Sequence, residues 1–333
     1  MSRRRFLLAS LVGALIAPFV EAQVAALPRI AVVFSTSPLT TMLGPDPSHP
    51  FLRAFLHGLR DLGYVEGQNL LIERRSLEGR WDRAPEVFTE LIGLKVQVIL
   101  AAPLSVARAA RSAVPTIPIV VGDATDLGPE PLIASFARPG GTVTGIGLGV
   151  LEFSQKQLEL LKEAAPRATR VAVLTEPVTP ELRELRIKPM EEAARALRVT
   201  LSWAEIKSAK QVAATLDAVI RQHPQALFVP GGATIFAARR EIADFVLRHR
   251  LPTMTSYLEL VEEGGLMAYA IDNQDIYRRT ATYIDKILKG AKPGDLPVER
   301  PSKFTLLINL RTARAIGITV PQSLLLRADQ VIE

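Results

Sequence analysis

Short runs of β-branched and apolar residues alternate with longer amphipathic runs, and this alternation passes along the chain twice. In the first series, strand-like runs at 29–34, 70–75, 96–101, 117–121 and 143–147 are interleaved with helical patterns at 51–62, 82–93, 104–112 and 130–137. Phe51, Phe55, Leu59 and Leu62 fall on one face of the first helix, and Asp82 is expected to cap the second. The second series has strands at 170–175, 200–204, 226–229, 252–256 and 266–270. Its helices are expected at 153–165, 181–197, 209–221, 234–248, 258–263 and 274–288. An extended run at 304–308 and a helix at 310–316 follow a linker-like stretch, 290–301. Strand–helix alternation of this kind demands βαβ units with parallel pairing. The fold class is therefore α/β, with two consecutive Rossmann-like lobes. In open sheets of this type, ligands bind beyond the carboxyl ends of the strands.

The remaining composition narrows the chemistry. A hydrophobic content of 48% and a charged content of 22% exclude a disordered chain. There is no cysteine, which excludes disulfides, thiolate metal sites and cysteine nucleophiles. The four histidines, His49, His57, His223 and His249, include no pair at metal-ligand spacing. No cofactor or metal is expected. The net charge of +6 is scattered rather than gathered into a stripe, so a nucleic-acid partner is not expected.

The start of the chain carries Arg3-Arg4-Arg5-Phe6-Leu7, an apolar run to Val20, and Val20-Glu21-Ala22. This is the pattern of a twin-arginine export signal, residues 1–22, cleaved near Ala22. The apolar run is shorter than the roughly 20 residues that span a bilayer. A periplasmic, monomeric protein is the expectation.

Gly145-Ile146-Gly147-Leu148-Gly149 lacks the strand–turn–helix setting of a dinucleotide loop, and no phosphate-binding G-x-x-x-x-G-K-[ST] or nucleophile G-x-S-x-G is present. Strand-end residues carry the site instead. The expected ligand-binding set is Ser35, Thr36, Pro103, Leu104, Ser105, Asp123, Thr125, Glu176, Gly231, Gly232, Tyr257, Tyr269 and Asp272. Helix-start N–H groups suit a carboxylate, an aspartate such as Asp123 suits an ammonium group, and Tyr257 and Tyr269 could stack on a ligand. Ser, Thr, Asp and Gly are also ordinary turn and cap residues, and Asp272 could be a helix cap.

Several segments together resemble one family. Gly58-Leu59-Arg60-Asp61-Leu62-Gly63-Tyr64-Val65-Glu66-Gly67-Gln68-Asn69 and Ala137-Arg138-Pro139-Gly140-Gly141-Thr142-Val143-Thr144-Gly145 resemble its first two signatures. Gly264-Gly265-Leu266-Met267-Ala268-Tyr269, Lys303-Phe304-Thr305-Leu306-Leu307-Ile308-Asn309-Leu310 and Ser323-Leu324-Leu325-Leu326-Arg327-Ala328-Asp329 resemble the others. The chain is similar to bacterial ABC-transporter substrate-binding proteins of the tryptophan/tyrosine-permease-like group, with the type I periplasmic-binding fold. It departs from their pattern at Ala124, Ala233-Thr234 and Leu258. The resemblance implies two lobes joined by a three-strand hinge, with 28–147 plus 267–290 in the first and 148–266 plus 298–333 in the second. It implies capture of a small molecule, such as an amino acid or aromatic compound, and delivery to a membrane permease. A non-enzymatic solute receptor is the leading reading. A ligand-sensing protein for a membrane receptor and a two-lobed Rossmann-like enzyme are the alternatives.

Overall fold

The computed structural model describes residues 27–122, 132–146, 153–177, 180–301 and 304–333. The expected export signal, Asp123 and Thr125 lie outside the described residues. In the first lobe, β1 (Arg29–Phe34), α1 (Pro50–Asp61), β2 (Leu71–Ser76), α2 (Ala84–Gly93), β3 (Val98–Ala102), α3 (Leu104–Ala113), β4 (Ile119–Gly122) and β5 (Val143–Ile146) follow in order. They make a parallel sheet in the order β2-β1-β3-β4-β5. The second lobe holds α4 (Phe153–Ala164), β6 (Arg170–Thr175), α5 (Pro180–Ala196), β7 (Thr200–Glu205), α6 (Val212–Ile220) and β8 (Ala226–Val229). It continues with α7 (Ala233–Ala237), α8 (Arg239–His249), β9 (Thr253–Thr255), α9 (Leu258–Glu262) and β10 (Met267–Ile271). After α10 (Asn273–Leu288), the chain ends with β11 (Phe304–Asn309), α11 (Leu310–Ile316), α12 (Gln322–Leu325) and β12 (Gln330–Ile332).

The second sheet runs β12-β11-β10-β9-β8-β6-β7. Its β7-β6-β8-β9-β10 portion repeats the strand order of the first sheet, and the repeat extends to local sequence. Arg29-Ile30-Ala31-Val32-Val33-Phe34-Ser35 in and after β1 matches Arg170-Val171-Ala172-Val173-Leu174-Thr175-Glu176 in and after β6. Both inner strands are buried on both faces, which their unbroken apolar runs require. One pair departs from parallel order, because β11 returns antiparallel to β10.

Helix α10 belongs to the first lobe, although β10 just before it belongs to the second. Ile276, Tyr277, Ala281 and Ile284 of α10 pack in one apolar cluster with Ile30, Val98, Val120 and Phe55. The return crossing thus falls after Ile271, later than the expected residue 267. Gly58 of α1 makes this packing possible, since a Cβ there would lie 2.2 Å from the carbonyl oxygen of Arg278. Close by, the Tyr64 hydroxyl donates to Asp285 at 2.9 Å. The first signature segment therefore fastens α1 to α10. The second signature holds the segment after α10, where Gly140 N–H donates to Gly294 O and Val298 N–H donates to Phe136 O. Glu299 bridges Ile146 beside β5 before the chain crosses to β11.

Three further expectations change. The helix expected at 130–137 is irregular from Leu132 onward, with the Phe136 carbonyl engaged by Val298. The helix at 234–248 is two helices, α7 and α8, meeting at Ala238. Asp82 lies within a single 3₁₀ turn ahead of α2 and does not cap that helix.

Candidate functional site

In sheets of order 2-1-3-4-5, the crevice opens between the first and third strands of the chain, where helices leave towards opposite faces. Each lobe has such a point, at β1/β3 and at β6/β8, and the two face each other across one cavity of about 320 Å³. Nine of the expected residues line it: Ser35, Thr36, Pro103, Leu104, Ser105, Glu176, Gly231, Gly232 and Tyr257.

The first-lobe wall carries a polar cluster at the ends of β1 and β3. Ser35 is 2% exposed, and its Oγ has no hydrogen-bond partner among the described residues. Beside it, α3 begins after Pro103, and among the described residues no side chain hydrogen-bonds its first turn. Arg108, one turn into α3, also lines the cavity. Uncapped helix N–H groups, a buried hydroxyl and a guanidinium together suit a carboxylate.

The second-lobe wall is arranged otherwise. Glu176 Oε1 accepts from the backbone N–H of Thr234 at 2.6 Å and of Ile235 at 3.1 Å, so the protein's own acid covers the start of α7. Burial pushes this carboxyl above its ordinary range, while the backbone N–H groups favour its ionised form. The Tyr257 hydroxyl donates to Gly232 O and accepts from Gly232 N–H, each at 3.0 Å. Beyond Glu176 the wall turns apolar, formed by Phe153, Ile187, Met190 and Trp203.

Aromatic rings close one side of the cleft. Phe51 of the first lobe stacks on Phe236 of the second with centroids 4.5 Å apart, and on Tyr277 at 5.1 Å. Tyr257 leans on Phe236 at 4.9 Å. His49 packs between Phe34 and Phe236, at 4.5 and 5.9 Å. Its Nδ1 accepts from Leu52 N–H, capping α1. Burial, and then the charge of Arg239, lowers its pKa to about 4.

Two expected residues stand elsewhere. Tyr269 stacks between Phe153 and Phe304, at 5.5 and 5.4 Å, and is packed against the core behind the cavity. Asp272 caps α10, its carboxylate accepting from Asp275 N–H at 3.0 Å. For Asp272 this is the helix-cap alternative that its sequence position already offered. The cavity also includes His49, Arg108, Trp203 and Phe236, which the sequence reading did not select. A signal existed for His49, a polar residue directly before a proline that opens a helix.

The family described as ABC transporter substrate binding protein matches residues 46–332. A tyrosine-binding protein of Clostridioides difficile is 24% identical over 277 residues, covering 81% of this chain and 78% of its own. A solved Streptococcus pneumonia structure, described as an ABC domain in complex with L-Trp, is 25% identical with a TM-score of 0.78. It covers 92% of this chain and 100% of its own. A conserved domain protein from Vibrio cholerae has the same TM-score, 0.78, at 23% identity, over 92% of this chain and 100% of its own.

Proposed function

The chain belongs to the ABC transporter substrate binding protein family, and on that premise we propose that it is an exported receptor for a small carboxylate with an apolar or aromatic body. It holds this ligand between its lobes and delivers it to an ABC-type permease, without catalysis. The division of the cavity carries the reading. Ser35, the start of α3 and Arg108 offer a carboxylate site on the first-lobe wall, and Phe153, Ile187, Met190 and Trp203 offer an apolar surface on the second-lobe wall. The names of the tyrosine-binding and L-Trp-bound relatives support an aromatic amino acid. Only a closed arrangement touches such a ligand from both lobes, so binding shifts the lobes towards closure.

A thermal-shift and calorimetric screen tests this with amino acids, simple carboxylates, neutral aromatics and sugars. A saturable rise in melting temperature with aromatic amino acids is expected, because a ligand that binds only the folded state stabilises it by mass action. Binding confined to sugars or to neutral aromatics overturns the carboxylate reading.

A further inference from the structure

Ser35 and Glu176 occupy the same place in the two lobes, the first residue after the matched strands β1 and β6. Their side chains have opposite consequences. The Ser35 hydroxyl makes no hydrogen bond to α3 among the described residues, whereas Glu176 reaches α7 and fills its first turn. The neighbouring residue is matched to this acid. Gly232 has φ +140, and a Cβ there would lie 2.4 Å from Glu176 Oε1. On the backbone of the same glycine, the Tyr257 hydroxyl fixes both N–H and C=O. Glycine and tyrosine thus form a socket for the carboxylate. Burial, backbone N–H groups and the Thr234 hydroxyl act on its charge, and no Lys or Arg of the described residues forms an ion pair with it. The carboxylate lines the cavity all the same.

We propose that Glu176, seated against Gly232, is the specificity-determining residue of the second lobe, admitting an ammonium or other N–H donor and barring a second carboxylate. This rests on the receptor reading above and sharpens it to a class: amine-bearing monocarboxylates, to the exclusion of their deaminated analogues and of dicarboxylates. The physical reason is one of pairing. A partly desolvated carboxylate without a cation gains most from a ligand that brings one, and repels a ligand that brings another anion.

Isothermal titration of the purified protein with L-tryptophan, L-tyrosine, indole-3-propionate, 3-(4-hydroxyphenyl)propionate and phenylsuccinate tests the proposal. The wild type should prefer each amino acid over its propionate by at least about tenfold, as for a charge-assisted hydrogen bond, and should not take up phenylsuccinate. Glu176→Gln keeps an oxygen for the Thr234 and Ile235 amides but removes the charge. It should bring that ratio to within about threefold of unity, mainly by weakening the amino acid. Gly232→Ala leaves the charge but drives the carboxylate from its socket, and should lower the ratio in the same direction. It carries the test should Glu176→Gln fail to fold by circular dichroism. A wild type that binds the propionates as tightly as the amino acids, or a folded variant that keeps the full preference, overturns the role of Glu176 and leaves the receptor reading intact. A wild type that binds none of the five overturns the receptor reading itself.

Discussion

The two lobes are built on one plan and present opposite surfaces to the space they share. Strand order, strand sequence and the placement of a helix after the third strand all repeat. The difference lies in single residues at strand ends: among the described residues the Ser35 hydroxyl leaves α3 unbonded, and Glu176 closes α7. A duplicated scaffold can therefore hold an asymmetric ligand without an asymmetric frame. Recognition changes through side chains at strand ends, while the strand order beneath repeats.

Making the lobes alike is the strongest way to break this contrast. Ser35→Glu places a carboxylate beside α3, and binding of any carboxylate ligand should weaken by more than about a thousandfold, because juxtaposed like charges cost several kcal/mol. Calorimetry reads the loss directly, and unchanged affinity would show that the head group binds elsewhere.

The next contrast is in pH response. In the first lobe, His49 has its pKa lowered from 6.5 to about 4, so its share of stability is present above pH 6.5 and is lost as pH falls towards 4. In the second, burial raises the pKa of Glu259 from 4.5 to about 7, so its share is present below pH 4.5 and is lost as pH rises towards 7. Each share is at most about 3 kcal/mol at 1.36 kcal/mol per pKa unit. Urea denaturation across pH 4.5 to 8 should therefore show His49→Gln flattening the acid side and Glu259→Gln flattening the neutral side.

Gly58→Ala separates the lobes by stability. The added methyl forces α1 from α10, both of which cover the first sheet only, at a cost of about 2 kcal/mol for overpacking. Calorimetric melting should then show the first lobe unfolding ahead of the second. A single unshifted transition would contradict that packing. The smallest effect compares two tyrosines. Tyr257→Phe frees Gly232 and should cost about 1 kcal/mol of stability with weaker binding, whereas Tyr269→Phe should leave affinity unchanged within measurement error.

Much of this was legible in the sequence because buried parallel strands write themselves as unbroken apolar runs, as β1, β3 and β6 do. The strand-end positions of the cavity followed from that. The role of Glu176 did not, since its partners, the amides of Thr234 and Ile235, lie 58 and 59 residues away along the chain. Phe236 and Tyr277 carry helical spacing that reads as ordinary core, and only the meeting of the lobes turns them into cleft walls. Tyr269 and Asp272 fit two roles by local pattern alone, and the structure gives them the core and the helix cap. The segment from Leu132 illustrates competition from afar, where apolar residues flanked by prolines are fixed by Val298 instead of by a helical ladder.

The crossing after β10 also sets a timetable for the growing polypeptide. On the ribosome, the first sheet is complete once Ile146 has been made, yet the helix that shields Ile30, Val98 and Val120 ends at Leu288. Between these two moments nearly the whole second lobe is synthesised, and the N-terminal half waits with this apolar face covered by α1 alone. An N-terminal domain ordinarily folds as soon as it emerges. Here contacts of very long sequence separation delay that step, and slow folding is their usual companion. The first lobe's apolar cluster is thus completed only when the C-terminal third of the chain arrives.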